Sequence, residues 1–195
     1  TLRFVTCTLI GVPIWYVAGI VMPFAPELGE NLGVTDPILS SRAIAITYLG
    51  LAAGDLLSGV VSQIYGSRKK ALYLFQVSCM VLCGVLFFTA GGKGHYYFYT
   101  LCFLIGVGAG FWALFVTVAA ENFGTNLRST AATSIPNFVR ASVVPMSLML
   151  TPLRNYFEHW QATMIVGVVI FVIALVSAYF LRETFKESLD YLERH

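Results

Sequence analysis

An all-helical membrane bundle of six spans is the fold class this sequence predicts, and three features predict it. The 195 residues are 57% hydrophobic and only 11% charged, whereas soluble domains carry roughly a quarter charged residues because their surface faces water. Mean hydropathy is +0.77. The apolar residues gather into six long runs, each near the roughly 20 residues needed to cross about 30 Å of hydrocarbon. A β-barrel is excluded, since its strands alternate over about ten residues while these runs are continuous.

The first run, Phe4 to Phe24, contains Pro13 and is closed by Pro23 and Pro26, and the acidic stretch Glu27 to Asp36 after it reads as a loop. The second, Ala43 to Tyr65, holds one internal acid, Asp55, and runs into Arg68-Lys69-Lys70. The third, Ala71 to Ala90, stops at Gly91-Gly92-Lys93-Gly94, which predicts a tight hairpin turn. The fourth opens on Tyr96-Tyr97-Phe98-Tyr99, as amphipathic rings do at a membrane interface, and continues through Gly106, Gly108 and Gly110 to Ala120. A polar link, Glu121 to Arg128, leads to the least apolar run, Thr130 to Leu153, with Pro136, Asn137, Arg140 and Pro145 inside it. Trp160 to Leu181 is the last run, and residues 186–195 form a charged tail expected in the cytoplasm.

Basic residues set the orientation. One side collects Arg3, Arg68, Lys69, Lys70, Arg128, Arg182, Lys186 and Arg194, the other Arg42, Lys93 and Arg154, so the positive-inside rule puts both termini in the cytoplasm. The expected location is the inner or plasma membrane, with membrane lipid as surroundings. The net charge of +2 sits in short clusters at segment ends, which gives nucleic-acid binding no support. Cys7, Cys79, Cys83 and Cys102 fall inside apolar runs and read as buried or lipid-facing, without metal-ligand spacing. No nucleophile elbow, phosphate-binding glycine loop or His-rich pattern is present, and His95, His159 and His195 are expected in loops or the tail. No enzyme activity, metal or cofactor is expected. The chain opens on Thr1 directly into an apolar run, so a fragment or processed piece is expected.

Gly59-Val60-Val61-Ser62-Gln63-Ile64-Tyr65-Gly66-Ser67-Arg68-Lys69-Lys70 resembles the G-x-x-x-D-x-x-G-R-[RK] loop of the major facilitator superfamily, which joins the second and third helices of each six-helix half. It departs where Gln63 stands for the acid and where Ser67 is inserted before Arg68. The link Glu121 to Ala131 is similar to the one after the tenth helix of such transporters, and Arg182-Glu183-Thr184 to the end of the twelfth. The resemblance implies helices seven to twelve: half of a major facilitator fold, built as two inverted three-helix repeats around a cavity that a partner must close. That partner is an N-terminal six-helix half on the same native chain, or a second copy.

Site candidates follow from intramembrane polarity, because a charge at the bilayer centre is costly unless it faces protein or water. Arg140, Asn137 and Thr133 share one helical face beside the kink expected at Pro136. Arg140 reads either as an anion site or as a structural ion pair, and Asp55 either as a proton-coupling carboxylate or as a polar residue toward the outer third of its helix. Trp15, Tyr16, Phe111 and Trp112 lie in proline- and glycine-softened helices that, by the resemblance, line the cavity. Gly11-Val12-Pro13-Ile14-Trp15-Tyr16 and Gly108-Ala109-Gly110-Phe111-Trp112 occupy matching helices of the two triplets, and interrupted helices in matching positions point to binding sites. Gly59, Gln63, Gly66, Arg68, Lys69, Glu121 and Arg128 are expected at the cytoplasmic gate, with Glu121 and Arg128 paired to each other or to the basic loop. The function expected is secondary active transport of a small solute by alternating access, with proton symport a candidate and an organic anion or sugar phosphate as cargo. The alternatives are a receptor or scaffold module and a six-helix homodimer.

Overall fold

The structure is a computed structural model that describes residues 2–185, so the expected tail at 186–195, with His195, Lys186 and Arg194, lies outside the described residues. Among the described residues every regular element is helical: α1 (Leu2–Tyr16) with a π-helical segment (Val17–Val21), α2 (Ala25–Leu32), α3 (Ser40–Tyr65), α4 (Arg68–Thr89), α5 (His95–Ala109), α6 (Trp112–Glu121), α7 (Arg128–Ala141), α8 (Val143–Leu153) and α9 (His159–Phe180). Five stretches are long and apolar enough to cross a membrane: Leu2–Val21, Ser40–Tyr65, Arg68–Thr89, His95–Glu121 and His159–Phe180. The remaining apolar run is divided between α7 and α8, of 14 and 11 residues, so neither piece alone is long enough.

That division falls in a different place from the one expected. α7 runs through Pro136 without interruption and ends before Ser142. Pro145 has no N–H for the Ala141 carbonyl, and its ring crowds that carbonyl, so the helix gives way in the turn before it. The first span is disturbed in a related way, since Pro13 precedes the change to π-helical winding at Val17. Here the buried Gln76 side chain of α4 donates from Nε2 to the Ile10 carbonyl at 3.0 Å. Such outside donors make a softened helix tolerable in a membrane.

α2 starts at Ala25 and runs through Leu32, so it occupies most of the stretch expected as a loop from Glu27 to Asp36. Pro26 sits in its first turn, where a missing N–H costs nothing, Glu27 complements the dipole, and Gly33 closes it in the left-handed region at φ 75°. The glycine hairpin after α4 forms as expected, and Gly92 N–H donates to the Gly33 carbonyl at 3.0 Å.

Packing exchanges the first helix of each triplet. α1 packs against α7 and α9, while α5 packs against α3 and α4. Each lead helix therefore lies against the second and third helices of the other triplet, a reciprocal exchange compatible with two inverted repeats. The α3–α5 crossing is a backbone contact: a Cβ on Gly50 would approach the Phe103 carbonyl oxygen to 2.2 Å, and one on Gly110 the Gly54 Cα to 2.5 Å. Helices in lipid gain no hydrophobic attraction from each other, so close backbone approach at small residues supplies the packing.

Candidate functional site

Two helix interruptions meet at one place. α1 changes winding just after Trp15, and the fourth span breaks at Gly110-Phe111 just before Trp112. Both indoles face a cavity of about 510 Å³, whose walls also include Ile14, Ala18, Tyr48, Leu51, Ala52, Asp55 and Arg140. The Arg140 guanidinium carbon lies 6.0 Å from the Trp15 ring centre and 5.7 Å from that of Trp112. Each contact contributes about 0.5–2 kcal/mol, more as water is removed. Arg140 also donates from Nη1 to Asn137 Oδ1 at 3.3 Å, and Asn137 donates from Nδ2 to the Thr133 carbonyl at 2.9 Å. The α7 face expected from spacing is thus present, with Thr133 and Asn137 exposed along it and Arg140 in the cavity wall.

Tyr16 and Phe111 do not belong to this cavity. Both are fully buried at 0% exposure. Tyr16 points the other way, donating its hydroxyl to the Thr163 carbonyl at 2.9 Å and packing edge-on against Phe171. One helical step of about 100° separates Tyr16 from Trp15, so only one of the two faces the opening, while Phe111 lies in the non-helical break just before α6. Tyr48 and Ala52 were not singled out from sequence, although they precede Asp55 by seven and three positions and so share its face.

Asp55 projects from α3 toward the break in the fourth span. Its Oδ1 accepts the backbone N–H of Ala113, in the first turn of α6, at 3.0 Å. The cavity therefore carries one cationic and one anionic side chain on different walls.

At the opposite end from the glycine hairpin, the basic loop is tied into a knot. α3 stops at Gly66, φ 56°, and Ser67 caps α4 by accepting the Lys70 N–H at 3.2 Å. Ser67, an insertion relative to the loop signature, is thus the capping residue. Arg68 donates from Nη2 to Glu121 Oε1 and from Nη1 to Ser62 Oγ, both at 3.1 Å. Its guanidinium carbon stands 5.1 Å from the Phe185 ring centre. Glu183 accepts the Arg68 N–H at 2.9 Å, the Lys69 N–H at 3.3 Å and the Ser67 hydroxyl. Burial pushes the Glu183 carboxyl up, but the Ser67 hydroxyl and the amides of Arg68, Phe185 and Lys69 outweigh it and hold it below the usual carboxylate range. Lys69 donates to the Tyr179 carbonyl at 2.8 Å, and Thr184 donates to Glu121.

Glu121 thus pairs with the basic loop. Arg128 opens α7, half-buried, and Gln63 is exposed where the signature has its acid. A Cβ added at Gly59 would meet nothing within 4 Å among the described residues, so no close approach there demands a glycine. Sequence reasoning left Glu183 without a role, and its spacing from any element it caps carries no signal.

The hairpin end has its own ties. His95 opens α5 and contacts Asp36 at 2.9 Å through Nδ1, and the hydrogen bond from His95 holds the exposed Asp36 carboxyl below its usual range. His95 and His159, both expected in loops, are instead the first residues of α5 and α9, and His159 is buried. Its backbone N–H donates to Asn31 Oδ1 of α2 at 3.2 Å. The four cysteines are free thiols and buried, and no cluster of His, Cys, Asp and Glu among the described residues could hold a metal ion.

A comparison with curated proteins finds no match. Compared with known families, residues 7–193 match the Major Facilitator Superfamily, nearly the whole chain and both of its triplets. With its long apolar helices, exchanged packing of lead helices and basic loop, the chain belongs to the major facilitator superfamily of multi-pass membrane transporters.

Proposed function

We propose that this bundle is half of a secondary active transporter that moves a small organic anion by alternating access. The observation that carries the reading is Arg140, a guanidinium in a membrane-depth cavity flanked by Trp15 and Trp112. A charge at that depth is costly unless it serves a partner, and a guanidinium meets a carboxylate or phosphate with two parallel hydrogen bonds. The indoles add apolar, planar walls. At about 510 Å³, the cavity falls within the few hundred to about 1,000 Å³ usual for small-ligand sites.

Its open side is closed, in this reading, by a second six-helix bundle on the same native chain or in a second copy. The Arg68–Glu121–Glu183 knot holds the gate at the basic end, which the positive-inside rule places in the cytoplasm of the inner or plasma membrane. Asp55 is the candidate for proton coupling, as the acid among the residues lining the cavity.

The test is uptake of radiolabelled carboxylates into proteoliposomes containing the full-length protein, with and without an imposed pH gradient. Arg140→Ala is expected to lower uptake at least tenfold while leaving the folded yield unchanged. Arg140→Lys keeps the charge but loses the fork and the stacking, and is expected to fall between. Wild-type uptake by Arg140→Ala overturns the reading.

A further inference from the structure

The two charged side chains of the cavity sit in different circumstances. Arg140 meets indole faces, while Asp55 is already engaged by backbone. What engages it is the start of a half-helix. α6 runs for 10 residues, Trp112–Glu121, and its own capping residue is Phe111, which has no side-chain acceptor to offer. The first N–H groups of a helix need acceptors from somewhere, and they carry the positive end of its dipole. Asp55 supplies one from another helix, accepting the Ala113 N–H at 3.0 Å.

It can reach because α3 and the end of α5 are in backbone contact next to it. A Cβ on Gly54 would lie 2.3 Å from the Val107 carbonyl oxygen and 2.8 Å from Gly110 Cα. The seam fixes α3 against the break, and Asp55, the next residue along α3, fastens the half-helix beyond it. Trp112 is the first residue of that half-helix and the indole nearer to Arg140, at 5.7 Å.

We propose that Asp55 is a positioning residue that acts through α6: by capping the half-helix from α3 it sets where Trp112 stands against Arg140, so the charge on Asp55 controls the anion contact. This rests on reading the cavity as the substrate site. A carboxylate is drawn to the helix N-terminus by charge as well as by its hydrogen bond, whereas a protonated acid keeps at most the weaker neutral bond. Proton arrival at Asp55 therefore loosens the start of α6 and with it the indole beside Arg140. Arg140 on α7 and Tyr48 on α3 are the other titratable groups lining the cavity.

The experiment needs no substrate. The full-length protein is labelled with 5-fluorotryptophan, and the Trp112 resonance is assigned by its loss in Trp112→Phe. In the wild type that resonance is expected to move by more than its linewidth between neutral and acidic pH. Asp55→Asn, which keeps the acceptor and shape but carries no charge, is expected to hold one position across the range. Asp55→Ala, with no acceptor, is expected to displace and broaden it at every pH. If Asp55→Asn titrates like the wild type, or Asp55→Ala leaves the resonance where the wild type has it, Asp55 does not act through α6. Because the readout is made without cargo, it stands or falls apart from the uptake of Arg140→Ala.

Discussion

Arg68 and Glu121 meet at 3.1 Å with side-chain exposures of 16% and 10%, so water screens the pair little and neither charge is cheaply left alone. Glu121 is also the acceptor for Thr184, which brings the end of α9 into the same contact. Glu121→Gln keeps the shape and removes the charge, and is expected to lower the stability of the detergent-solubilised protein by about 1–3 kcal/mol, the cost of stranding a hydrogen-bonded charge. Arg68→Met alone strands Glu121 in the same way. The double variant leaves no uncompensated charge, so its loss is expected to be clearly smaller than the two single losses added. Thermal melts of the four proteins check this, and strictly additive losses mean the contact does not couple the two residues. The same logic distinguishes Arg140, which donates to an uncharged amide, Asn137 Oδ1, at 3.3 Å. Among the described residues no carboxylate forms an ion pair with that arginine, which suits a site that must release its anion.

Among the elements, α4 is capped twice: by Ser67 beside it in sequence and by Glu183, which arrives from the end of α9. The carboxyl of Glu183 lies below its usual range because its hydrogen bonds outweigh burial. Its folded value is therefore lower than its unfolded one, and its contribution is complete above the unfolded value of about 4.3. It is lost as pH falls through the folded value. Acid is expected to release the end of α9 from α4, and thermal melts from neutral pH down to about 3 follow that release. Glu183→Gln is expected to begin about 1 kcal/mol less stable, the ordinary worth of a cap, and to lose less on acidification. An identical acid response in the two proteins removes Glu183 from the explanation. Breaks in elements follow local chemistry as well. Pro145 stops α7 at Ser142, whereas Pro136 lies inside a helix that continues, so the presence of proline alone did not say which position would break.

At the scale of the whole molecule, the spans were legible because apolar length needs no partner to be read: a run of some 20 residues reports the bilayer directly. The cavity was legible only in part. Arg140 and Trp112 stood out because polarity or a broken helix marked them, but Tyr16 and Trp15 look equivalent in sequence and only packing against Phe171 and Thr163 sends one of them into the core. The Asp55–Ala113 and Arg68–Glu183 contacts join residues 58 and 115 positions apart, and no spacing rule encodes them. What the assembled bundle adds is a division of its surface that can be measured. Asn137 is exposed on the face carrying Arg140, whereas Val81 of α4 and Val172 of α9 are 54% and 50% exposed on helices that contribute nothing to the cavity wall. The four native thiols are buried, so the background of labelling from this bundle is low. A cysteine at Asn137 is expected to react with a membrane-impermeant maleimide at least tenfold faster than one at Val81 or Val172, because in the proposed reading the exposed α7 face next to the cavity meets water, where thiolate forms, whereas thiolate is suppressed in hydrocarbon. Saturating carboxylate cargo is expected to slow Asn137→Cys and leave the other two unchanged. Equal, slow rates at all three positions mean that the Arg140 face is sealed by lipid or protein, and the route proposed for the anion does not exist.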